Sequence, residues 1–176
     1  MEFQELIRAR RSVRGYQAGI CHEDLEKILR QAQQAPSWRN MQTSRCYAVE
    51  TPEKLEAFRA AVLPSFNFSS SANAALIVTT FVKNLVGFRD DGQPADSIGN
   101  GWGAYDLGLH DAYLILAASD AGYDSLIMGL RNTDAIRAAL GVPENEEIMS
   151  VIAVGRRAAD PAAPQRKELD EVVKFF

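Results

Sequence analysis

Apolar residues recur at helical spacing early in the chain. Phe3, Leu6 and Ile7 form a short stripe on a first helix, which runs into the basic segment Arg8–Arg14 and ends at Gly15. Leu25, Ile28, Leu29 and Ala32, at i, i+3, i+4 and i+7, predict a second helix that Pro36 stops. Cys46–Val49 reads as a strand. Thr51-Pro52-Glu53 then supplies an N-cap, a proline at the first helical position and an early acid, opening a helix through Leu55, Phe58 and Val62 to Pro64.

The second half is more apolar. Ala74–Phe81 is a continuous β-prone run, the pattern of a strand buried on both faces, and Gly87–Gly103 is a long loop rich in Gly and Asp. Ala104–Ala121 predicts a helix that is apolar around most of its circumference and therefore central, with Asp106 and His110 on a narrow polar strip and Gly122 after its end. Ser125–Met128 is a short strand. Asn132 or Thr133 caps a helix ending at Gly141, Ile148–Val154 is a further strand, and Leu169–Phe176 is a β-prone apolar tail beyond a linker with Pro161 and Pro164. Helices that alternate with strands in this order predict an α/β or α+β fold with long helices on one sheet.

Composition narrows the class. The chain has 176 residues, 47% hydrophobic and 24% charged, which predicts a single domain over 1–176 with a full core. The formal net charge of −4 argues against a nucleic-acid or anionic-membrane partner, so any anion site is local. No apolar run approaches the ~20 residues of a membrane span, and the acidic start Met1–Glu5 differs from a secretion signal, so a cytoplasmic location is expected. Two distant cysteines, Cys21 and Cys46, and two histidines, His22 and His110, make no zinc-type ligand set, and both cysteines read as structural.

Three segments carry candidate chemistry. Gly99-Asn100-Gly101-Trp102-Gly103-Ala104 fits a dinucleotide-binding glycine pattern, but the polar stretch Asp90–Ser97 precedes it where a buried strand is required; it reads instead as a flexible loop tip. In Arg10-Arg11-Ser12-Val13-Arg14, paired guanidinium forks and a hydroxyl can grip a phosphate; the same run also reads as a solvated basic helix end. Ser37-Trp38-Arg39-Asn40-Met41-Gln42 lies between a helix end and a strand, where a loop presents polar side chains to a ligand or simply caps a turn.

Arg-Arg-Ser-x-Arg followed by Pro-Ser-Trp-x-Asn-x-Gln resembles the shorter branch of the nitroreductase family of FMN-dependent oxidoreductases. Ala117–Tyr123, Leu126–Leu130, Leu140–Glu144 and Arg166-Lys167 extend the resemblance over nearly the whole chain. Thr43-Ser44 replaces the Pro-Trp common after the Gln, and Ser70 stands where some members carry a lysine. The resemblance implies an α+β fold (an α/β sandwich): a central, mainly antiparallel sheet flanked by helices, with a C-terminal arm exchanged in a homodimer.

It also implies a site. Arg10, Ser12 and Arg166 hold the FMN phosphate with help from Lys167, while Arg11 and Arg14 lie near the ribityl chain and the flavin N1/O2 edge. Asn67 meets the pyrimidine edge, and the backbone of Ile127, Met128 and Gly129 passes the dimethylbenzene or N5 side. Ser37, Trp38, Asn40 and Gln42 come from the opposite subunit. No side chain is required as acid or base, because the flavin carries electrons from NADH or NADPH to a small-molecule acceptor such as a nitroaromatic or quinone. The glycines and acids of the Gly87–Gly103 loop suit a mobile segment that partly covers the flavin's open face, or a surface excursion of no consequence. The alternative is a non-catalytic flavin- or nucleotide-binding regulatory domain.

Overall fold

Alternate residues of one strand set up two cores. Ala75–Val82 (β3) sends Leu76 and Val78 to one side of the sheet and Ile77 to the other, and all three are fully buried. Glu146–Arg157 (β5) repeats the division, with Val151 and Ala153 on the first side and Ile152 and Val154 on the second. A strand apolar on both faces needs helices on both, so the result is an α/β sandwich. The computed structural model describes residues 2–176.

Phe3–Ala9 (α1) leads to Tyr16–Ala18 (β1), then His22–Ala32 (α2), Ser44–Val49 (β2), Pro52–Val62 (α3) and Ser65–Ser70 (α4). After β3 come Gly101–Asp120 (α5), Asp124–Met128 (β4), Thr133–Leu140 (α6), β5 and Leu169–Val172 (α7). The five strands pair antiparallel in the order β1-β5-β3-β2, with β4 also on β5. Helices α3 and α6 cover one face through Phe58, Val62 and Ile136, while α2 and α5 cover the other through Leu25, Ile28, Leu114 and Ala118. The expected mainly antiparallel sheet flanked by helices is what forms. Among the described residues, no helix is long and apolar enough to cross a membrane, and no group of acids, histidines and cysteines could hold a metal.

Several expectations need correction. The first helix ends at Ala9, not Gly15: Arg10 has ψ 130°, and Arg10–Arg14 runs extended beside β4, where Val13 N–H donates to Ser125 (3.0 Å), before Gly15, at φ 92°, turns and donates its N–H to Ser70 (2.8 Å). Gly103 is no flexible tip. It is buried in the first turn of α5, where an added Cβ would lie 2.5 Å from the Phe81 ring. Helix α5 is buried along one face only; Tyr105 and Tyr113 on the other are 61% and 43% exposed. The β-prone tail begins as a short helix, because Glu168 and Glu171 form a reciprocal capping box.

Asp124 ties the sheet's end together. Its buried carboxylate accepts from the Arg157 backbone N–H (3.1 Å), from Nε (2.9 Å) and from Nη2. Asp124→Ala strands the guanidinium with only exposed Asp160 as partner (2.6 Å) and should cost about 2 kcal/mol. The check is a lower denaturant midpoint at unchanged slope.

Candidate functional site

The extended run after α1 shapes a cationic cleft. In an extended backbone, residues two apart share a face, so Arg10, Ser12 and Arg14 project together while Val13 is buried opposite. Ser12 bridges Ser125 of β4 in parallel, which fixes the run against the sheet. Arg11 turns back, donating to the Arg8 and Arg10 carbonyls and closing the end of α1. Arg14 lies over the Phe66 ring of α4 (5.8 Å).

Arg8, Arg10, Arg11, Ser12, Arg14 and Arg166 line one cleft of about 810 Å³, whose far wall is the Pro161–Pro164 linker. Burial holds the Arg10 guanidinium below its ordinary pKa, and repulsion from Arg166 and Arg11 adds to the effect. Among the described residues, no acid forms an ion pair with Arg10, Arg11, Arg14 or Arg166. Like charges gathered without a carboxylate are unfavourable in isolation and become favourable around an anion. A phosphate monoester fits this donor set; a metal does not. Lys167 does not line the cleft.

The second motif forms a separate cleft of about 380 Å³ that contains Ser37, Gln42, Cys46, Asp106 and His110. The two clefts share no lining residue. Ser37 Oγ accepts from Gln42 N–H (3.0 Å), and buried Asp106 of α5 accepts from Trp38 N–H (2.9 Å). Arg39, Asn40 and Gln42 have φ of 48°, 56° and 49°, the left-handed region, at about 1 kcal/mol or more each. This strain leaves Asn40 and Gln42 exposed at the tip. The Trp38 ring packs on Trp102 (5.1 Å), whose indole N–H donates to Asp96 (2.9 Å) in the long loop, so that loop is braced to the start of α5.

Asn67 is buried in α4, and its Nδ2 donates to the Leu130 carbonyl (3.0 Å). This bond places it beside the Ile127–Gly129 segment at the end of β4. There Met128 is buried, whereas Ile127 and Gly129 are exposed. Sequence reasoning overlooked Arg8, which belonged to the same basic run, and Arg131, which binds the same turn and had no local signal.

Cys46 faces a protected environment. Burial, with Asp111 nearby, pushes its thiol from 9.0 up to about 12, while Cys21 is exposed. One thiol, Cys21, should therefore react with a disulfide reagent at pH 8 in the native protein, and both after denaturation. Burial also raises Tyr16. Both groups keep protons in the folded state that the unfolded chain releases, so stability should fall as pH rises above about 9.

The model of the nitroreductase family matches residues 7–156. A protein of Archaeoglobus fulgidus named "Putative NADH dehydrogenase/NAD(P)H nitroreductase" is 32% identical over 162 residues, 88% of this chain and 84% of its own length. Among solved structures, a nitroreductase family protein from Clostridium difficile superposes with a TM-score of 0.80 at 26% identity, covering 99% of this chain and 98% of that one. A "putative nitroreductase in complex with FMN" from Exiguobacterium sibiricum superposes with a TM-score of 0.85 at 22% identity, covering 100% and 98%. With the arginine run, the Ser37–Gln42 loop and the sheet order all inside the matched span, the chain belongs to the nitroreductase family.

Proposed function

We propose that the chain is an FMN-dependent oxidoreductase that carries electrons from NADH or NADPH to a small-molecule acceptor, a nitroaromatic or quinone being the expected class. The observation that carries this reading is the cleft in which Arg10, Arg11 and Arg166 converge without a counter-acid. The FMN-bound structure from Exiguobacterium sibiricum supports the same cofactor. Bound there, FMN would supply two-electron redox chemistry at its ring system, and the protein's task is to hold, orient and electrostatically bias it.

Arg10, Ser12 and Arg166 hold the phosphate, and Lys167, next to Arg166 but outside the cleft lining, adds only its charge nearby. Arg11 and Arg14 place positive charge near the ribityl chain and the N1/O2 edge, where added electron density collects. Asn67 offers the carbonyl end of its amide to the pyrimidine edge, its Nδ2 being held by Leu130. The backbone of Ile127, Met128 and Gly129 flanks the dimethylbenzene or N5 side. Ser37 and Gln42 line a cleft separate from the arginines of their own chain, and Trp38 and Asn40 belong to the same loop; these four residues complete the pocket of a second copy in a homodimer. Nicotinamide and acceptor then use one open face in turn, in a ping-pong cycle, and a cytoplasmic location supplies the nicotinamide.

Mass spectrometry of the heat-released ligand, followed by anaerobic addition of NADH or NADPH, tests the reading. FMN that bleaches is expected. FAD, or no flavin even after reconstitution, overturns it; FMN that neither nucleotide bleaches would instead make the protein a non-catalytic flavin binder.

A further inference from the structure

Arg131 is a partly buried cation with an unusual set of partners. Its Nη1 donates to the Gly129 carbonyl (2.5 Å) and its Nη2 to the Ile148 carbonyl of β5, while Nε is buried with no partner. Among the described residues it forms no ion pair; Glu147, the acid that acts on it electrostatically, lies with Lys83 (3.9 Å). Burial accordingly lowers its pKa from the ordinary value. A desolvated guanidinium without a carboxylate is costly, and a fold keeps one where the charge or the geometry is used.

The segment it binds is the turn after β4. Two carbonyls of that turn accept side-chain hydrogen bonds, Gly129 from Arg131 and Leu130 from Asn67 of α4. Asn132 N–H is tied to Val62 of α3 (2.8 Å) as well. Yet the turn is exposed, with Leu130 75% accessible. The turn is thus hydrogen-bonded to α3, to α4 and, through Arg131, to β5, while Gly129 and Leu130 stay exposed; a ligand wall needs that combination of anchoring and access.

We propose that Arg131 is a positioning residue for the cofactor: it fixes the Met128–Leu130 backbone against the flavin and supplies a standing positive charge on that side. This rests on the FMN reading above. The ring system gains electron density on reduction, and a cation held in a low-dielectric wall favours the electron-rich form. The effect is independent of the arginine cleft, since Arg131 lines no part of it.

The test is the two-electron midpoint potential of the bound FMN in the parent, Arg131→Met, Arg131→Gln and Arg131→Lys. Loss of the charge in Met and Gln should disfavour reduction at least tenfold, a fall of about 30 mV. Lys keeps the charge and can reach one carbonyl, so it should recover most of the difference. Unchanged potentials in Met or Gln variants that carry stoichiometric FMN overturn the inference, as does a Lys variant as low as Gln. Should Arg131→Met fail to fold, the Gln and Lys pair decides alone. A parent that binds no FMN removes the functional reading itself, a failure distinguishable from an FMN-bound parent whose potential ignores Arg131.

Discussion

Arg10→Ala should bind FMN about ten- to a hundredfold more weakly than the parent while folding as well or better. The two halves of that expectation have one cause. In the free protein Arg10 is partly desolvated and sits among like charges, Arg166 and Arg11, so removing it relieves a repulsion. With phosphate bound, the same guanidinium makes charge-assisted hydrogen bonds worth about 1.5–3 kcal/mol each, roughly one to two decades of affinity. Titration of FMN fluorescence gives the affinity, and thermal unfolding with and without FMN gives the stability. A variant that melts higher without FMN but gains less on adding it carries the signature of a site residue; a structural arginine would lose stability in both conditions. Equal FMN affinity for parent and variant would remove Arg10 from the phosphate site.

The elements legible in the sequence were those whose cause is local or whose burial is complete. β3 was readable because both its faces are covered, which leaves a continuous apolar run. Helix α6 was readable from its ends: Asn132 accepts from Ala135 N–H (3.1 Å), and Gly141 adopts φ 66°. The elements that escaped depend on distant partners. Arg10–Arg14 leaves the helix because Ser125 accepts the Val13 N–H and Ser70 that of Gly15, and β1 exists because two of its residues pair with Arg156 and Arg157. α4 is six residues with no apolar period. Tertiary hydrogen bonding overrides weak local preference in each case.

The candidate site divides along the same line. Adjacent arginines with a serine are a linear signal for an anion site, and the structure gathers them on one wall. Arg166 joins them from the far end of the chain, a proximity that only the resemblance implied. Spacing could not show that the Ser37–Gln42 loop opens onto a different cleft from the arginines, because that depends on Asp106 of α5 capturing Trp38. Arg131 was invisible for a related reason: its role is set by the Ile148 carbonyl across the sheet.

The separation of the two clefts leads to the second large effect. We expect a homodimer whose assembly and FMN binding are thermodynamically linked, and a monomer with little FMN when residues 169–176 are removed. In one chain the tail is uncovered: Leu169, Val172 and Phe175 are 62%, 62% and 84% exposed, so it does not fold back on its own subunit. Helix α5 likewise leaves Tyr105 and Tyr113 open, and β2 ends the sheet with no strand beyond it. A second copy can cover all three surfaces. Burying a large apolar side chain contributes about 1.5–3 kcal/mol, so losing several from the tail should raise the dimer dissociation constant at least a hundredfold. If Ser37–Gln42 completes the partner's pocket, FMN at ~100 times its dissociation constant should add about 2.7 kcal/mol per site to the dimer's stability. Sedimentation over decreasing concentration, with and without FMN, measures both quantities for the parent and the truncated chain. The dimer should persist to lower concentration with FMN, and the truncated chain should sediment as a monomer that has lost most of its flavin. A parent monomer holding stoichiometric FMN would contradict the shared site, because the arginine cleft would then be sufficient alone and the strained loop at Asn40 and Gln42 would have no ligand to serve.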